Sequence, residues 1–171
     1  MRALADLAAS AYGLLFVAAA AGKLDSWGAW SELARKIPGP PTIRPVVQVI
    51  VPVGEGVVAV LCFAAPIAGL AAAAVLLAGF AIAVGLMQPR LGGQECNCFG
   101  AIAPALINTG LVVRNAILAA LAAAVFYAAW RLDLRPLSPL QALAAALFGA
   151  IALMLFEFRR LRDAARTARA S

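Results

Sequence analysis

Apolar residues in this chain run in long unbroken blocks rather than in the narrow stripes that mark helices of soluble domains. Five blocks can be drawn, at 4–22, 45–64, 67–87, 109–130 and 139–158. A helix rising 1.5 Å per residue needs about 20 residues to cross roughly 30 Å of hydrocarbon, so each block predicts a transmembrane helix. The first block follows a single arginine and carries Asp6 near its start, as a signal peptide would not, and it is long enough to span; it is read as a retained first helix. Between the second and third blocks lies only "AAPIAG", whose Pro66 and Gly69 predict a tight reversal and an antiparallel hairpin. The expected fold is therefore an all-α integral membrane protein: one membrane domain over 1–158, a four-helix transmembrane bundle core with a fifth transmembrane helix, and a basic tail at 159–171.

Two longer polar segments, 23–44 and 88–108, follow the first and third blocks. Parity puts them on the same face of the membrane. In the first, Trp27 and Trp30 suit a helix lying along the headgroups, and that helix would form a lid over the second segment, which contains "GGQECNCFGAI". Lys23 and Asp25 are expected to cap and anchor the end of the first span, and Pro52 to kink the second.

Composition sharpens the class. At 64% hydrophobic and 13% charged, with mean hydropathy +0.94, the chain holds more apolar surface than a soluble core of its length could hide. The absence of histidine excludes imidazole acid–base chemistry, imidazole haem ligation and Cys/His zinc sites within this chain. The net charge of +6 sits between the blocks and after the last one, which reads as topology and lipid contact, not nucleic-acid binding. Ten of the fourteen Lys and Arg residues fall on the cysteine-loop face and three on the other, so charge alone places that loop in the cytoplasm.

The chemistry-bearing residues are few. Cys96 and Cys98 can close a small strained disulfide suited to passing on oxidising equivalents, can offer two soft thiolate ligands to a metal ion being bound or transported, or can be small turn residues in a non-catalytic assembly factor. Gly92, Gly93 and Gly100 free the backbone for close approach, whereas Glu95 disfavours a thiolate at Cys96. Glu55 lies mid-span, where an ionisable group needs a partner; Gly54 and Gly56 beside it would admit a helix or ligand, and Arg114, followed by Asn115, is the expected cation. Cys62, near the far end of its span, is expected to pack as a small hydrophobe.

The segments "AGKLDSWGAWSELARKIPG", "VPVGEG", "CNCFGAI" and "RNAIL" resemble the methylamine utilisation MauE family, within the wider DoxX-like membrane proteins; the likeness covers about residues 10–130. It implies a helical bundle in a bacterial cytoplasmic membrane, associated with disulfide formation during maturation of the methylamine dehydrogenase small subunit and acting with a thioredoxin-like protein or another thiol client. Cys96 and Cys98 would then be the redox pair of a thiol-disulfide oxidoreductase or electron conduit, with Phe99 and Gly100 shaping the turn. Glu55, Arg114 and Asn115 match family positions that carry no assigned role. The arrangement also looks like quinone-linked disulfide-forming bundles, which use C-x-x-C and a second cysteine pair; this chain has C-x-C and no cysteine in the lid, so the internal relay is missing and a quinone is left as a possible cofactor only. The resemblance puts the cysteine loop on the extracytoplasmic, oxidising face, against the charge count, and that face is the expectation taken forward.

Overall fold

A computed structural model describes residues 2–37, 40–94 and 106–132 of the chain. They form α1 (Arg2–Asp25), α2 (Trp27–Lys36), α3 (Ile43–Ala64), α4 (Pro66–Leu91) and α5 (Thr109–Arg131). Four of these are long and apolar enough to cross a membrane: Ala5–Asp25 of α1, then α3, α4 and α5. The expected fifth span and the tail lie outside the described residues.

Each span ends where the backbone chemistry requires. The α3–α4 reversal is compressed into Ala65, with Pro66 in the first turn of α4, where its missing N–H costs nothing. A Cβ at Gly69 would run into the backbone of Cys62, so a bare α-carbon is what lets the two helices close here. Asn108 caps α5, its side chain accepting from Leu111 N at 2.9 Å.

The main core joins α1, α3, α4 and α5 through Ala9, Phe16, Val58, Cys62, Leu70, Leu77 and Ala122. Cys62 is a packing residue, as its position in the sequence suggested. Outward, Val46, Val49, Val53, Val57 and Val60 of α3, with Val75, Ile82 and Leu86 of α4, expose a valine-rich surface that only lipid solvates well.

The short α2 buries Trp30, Leu33 and Ala34 at helical spacing and turns Glu32, Arg35 and Lys36 outward. A second core cluster, of Trp30, Leu33, Val84, Leu91, Ile107 and Leu111, seats it against the ends of α4 and α5. The interfacial helix and the segments flanking the cysteines thus share one face of the bundle, as parity required.

Two boundaries differ from the sequence expectation in an informative way. α1 continues through Lys23 to Asp25, because Lys23 does not stop the helix but turns inward. α4 runs to Leu91, past Pro89, because the polar residues there still complete its last turns.

Candidate functional site

Beneath α2, the last turns of α1 bring Lys23 against Glu55 of α3. Lys23 Nζ donates to Glu55 Oε1 at 2.7 Å, and the two side chains are 2% and 1% exposed. An isolated charge at this depth would cost several kcal/mol, so the pair exists because each group neutralises the other. The cation on Glu55 is therefore Lys23 and not Arg114, and Lys23 is not the surface anchor its position suggested. A lysine stem can bury along apolar neighbours while its head reaches a partner on the next helix.

Trp30 covers the pair, with Lys23 Nζ 5.4 Å from the centre of its ring. Its indole Nε1 donates to Gln48 O at 2.9 Å. That carbonyl is available for a covalent reason: in a helix Gln48 O would accept from residue 52, and Pro52 has no N–H to give. α3 runs continuously through Pro52, and the vacated acceptor becomes the peg that fixes α2 on α3. Trp27, by contrast, is 39% exposed, so only one of the two expected lid tryptophans closes over the site.

A cavity of about 150 Å³ opens under this lid. Its walls are apolar, from Phe16, Val51, Leu77, Phe80, Val84 and others, and its polar groups are Lys23, Glu55, Asn115 and the Trp30 indole. Glu55 Oε2 is buried there without a hydrogen-bond partner. Asn115, 3% exposed, lines the cavity, while its neighbour Arg114 is half-buried and does not. The glycines flanking Glu55 face open space among the described residues: a Cβ on Gly54 or Gly56 would meet nothing within 4 Å. A quinone ring, the group raised by the wider resemblance, would find a donor in Lys23, but its carbonyls offer no proton to Glu55 Oε2; a hydroxylated ring does.

Cys96, Cys98, Phe99 and Gly100 lie outside the described residues. The chain on either side of them is anchored. Gly93 N donates to Ile107 O at 3.0 Å and Ile107 N to Gln94 O at 2.8 Å, with Gly93 at φ +83°, a conformation glycine tolerates best. Lys36 Nζ at the end of α2 reaches Gln94 Oε1 at 3.4 Å, and Gln88 Nε2 donates to Thr109 Oγ1 at 2.9 Å. Residues 94 and 107, which bracket the cysteine segment, are thus held together beside α2.

The family model described as Methylamine utilisation protein MauE matches residues 1–128. The chain belongs to that family. No curated protein and no solved structure matches it. The MauE match spans all of α1 to α4 and most of α5, so the ion pair, the Trp30 lid and the bracketed cysteine segment all fall inside it. The MauE family makes this a multi-pass membrane protein of methylamine utilisation.

Of the residues named from the sequence, Glu55, Asn115 and Trp30 line the cavity, and Lys23, expected to anchor the end of its span, pairs with Glu55 instead. A signal was there: Lys23 is the first cation after the first span, at the start of the segment that leads into the span holding Glu55. Counting four residues back from Pro52 would likewise have marked Gln48 O as an acceptor in search of a donor.

Proposed function

We propose that this MauE-family chain exchanges thiols and disulfides at the membrane surface through Cys96 and Cys98, working with a thioredoxin-like partner or another thiol client in forming disulfides of a client protein. The observation that carries the reading is the C-x-C pair itself, two and four residues beyond Gln94, on a segment whose ends are bonded to one another and to α2.

The exchange runs by displacement at sulfur. A thiolate of the partner attacks one sulfur of the Cys96–Cys98 disulfide; a mixed disulfide forms and the other cysteine leaves as thiolate. The partner's second thiolate then attacks its own sulfur in that mixed disulfide and releases the chain as a dithiol. The partner has lost two electrons and the chain has gained them, with two protons taken from water. An extracytoplasmic loop suits this direction, because disulfides persist in oxidising compartments.

Single substitutions test it. Cys96→Ser and Cys98→Ser each leave one thiol, which can attack the disulfide of an oxidised partner but, without the second cysteine, cannot carry the mixed disulfide on to a Cys96–Cys98 disulfide. At least one variant is expected to accumulate an adduct with a thioredoxin-like protein that dithiothreitol releases. If neither variant captures such a partner, and replacing both cysteines leaves client maturation intact, the exchange role is wrong.

A further inference from the structure

We infer that the cavity between α1, α3, α4 and α5 is a binding site for a small hydroxyl-bearing aromatic ring, held with its hydroxyl on Glu55 and its ring against the apolar wall. The inference goes beyond thiol exchange and stands on residues of the described bundle alone.

Size limits the ligand first. About 150 Å³ is the volume that admits one benzene-sized ring in an apolar protein cavity. Composition limits it next: walls of Phe16, Val51, Leu77 and Phe80 favour an apolar body, and Trp30 adds an aromatic face. The polar end limits it most. Glu55 spends Oε1 on Lys23 and leaves Oε2 buried without a partner, which is costly in a low-dielectric site unless a donor arrives. A carboxylate oxygen accepts only, so the complementary group carries an O–H or N–H; a ketone, ether or plain hydrocarbon does not satisfy it. Among single-ring molecules that combine an apolar body with one strong donor, a phenol fits both ends. Asn115 stands on the same lining to bond a second ring substituent.

Access is apolar as well. Val47, Val51, Phe80 and Met87 of the lining are only half-buried, and Ala83 is exposed, so the wall formed by α3 and α4 borders the lipid-facing surface. A ring dissolved in the bilayer reaches Glu55 without crossing a polar barrier.

The test uses 4-bromophenol and its methyl ether 4-bromoanisole, whose bromine quenches an indole it touches. With Trp27→Phe and Trp130→Phe in the full-length protein, both positions being exposed, Trp30 is the sole reporter. Saturable quenching by the phenol is expected, with the ether at least about tenfold weaker, the ratio appropriate to one hydrogen bond with a charged group. Ala83→Phe, which fills the cavity from its exposed side, should abolish saturable quenching while leaving the unfolding temperature close to that of the parent. The Cys96→Ser/Cys98→Ser variant should bind the phenol unchanged, so failure of the exchange role leaves this site standing. Equal quenching by phenol and ether, or saturation that survives Ala83→Phe, would overturn the assignment.

Discussion

The two ends of this bundle are closed in different ways. At the α3–α4 turn, the helices meet through Ala65, Pro66 and Gly69 against the Cys62 backbone, with small apolar groups and no charge. At the opposite end lie an amphipathic helix, a buried ion pair and a cavity, and Gln94 and Ile107, on either side of the cysteines in sequence, are bonded to one another. Close packing of small residues is the inexpensive way to join helices in lipid, where apolar burial supplies little drive. Retaining a lysine and a glutamate in the membrane, with one carboxylate oxygen unpartnered, points to a use for that end beyond holding the fold.

The comparison breaks first at the ion pair. Lys23→Met or Glu55→Leu alone strands one buried charge and is expected to cost about 3–5 kcal/mol, whereas both together should recover most of the loss. Reversible unfolding of the reconstituted protein measures this; singles no worse than the double would mean the pair is not neutralising itself.

At the plain end, Gly69→Leu forces a side chain into the Cys62 backbone and should cost about 1–3 kcal/mol by overpacking, while leaving hydrogen-exchange protection of α2 unchanged. Loss of α2 protection would show the two ends to be coupled.

Trp30→Phe comes next. It leaves the part-buried Gln48 O without its donor, for about 1 kcal/mol. In a Pro52→Ala background residue 52 has an N–H again, and the same tryptophan change should cost much less. A double-mutant cycle with no coupling would contradict the role given to Pro52.

The smallest effect is expected at the other lysine–glutamate pair among the described residues. Lys36 and Glu32 lie 3.1 Å apart but are 44% and 61% exposed. The hydrogen bond and charge of Lys36 hold the Glu32 carboxyl below its usual range, so any stabilisation is present above the unfolded carboxylate range and is lost as pH falls through the lower, folded value. Water and salt already screen the pair, and neither Glu32→Ala nor acidification through that range should change the unfolding temperature measurably. A clear shift would mean that α2 depends on its outer face.

Much of the architecture was legible because lipid imposes a simple rule: a block of about 20 apolar residues has few alternatives to a span. Parity then placed α2 and the cysteine segment on one face without any coordinates. The partner of Glu55 was not legible in the same way. Arg114 and Lys23 were both within axial reach, and which one meets the carboxylate depends on how α1 and α5 rotate about their axes, a matter of packing rather than hydropathy. Nor does hydropathy tell which glycines meet another backbone: Gly69 does, whereas Gly54 and Gly56 face open space.

The proposed exchange is tested most directly by labelling Cys96 and Cys98 in intact cells with a membrane-impermeant thiol reagent, before and after mild reduction, in a Cys62→Ala background. The expected result is no labelling beforehand and labelling of both cysteines afterwards, as for a disulfide facing the oxidising side. Free thiols that react only once the membrane is opened would contradict it.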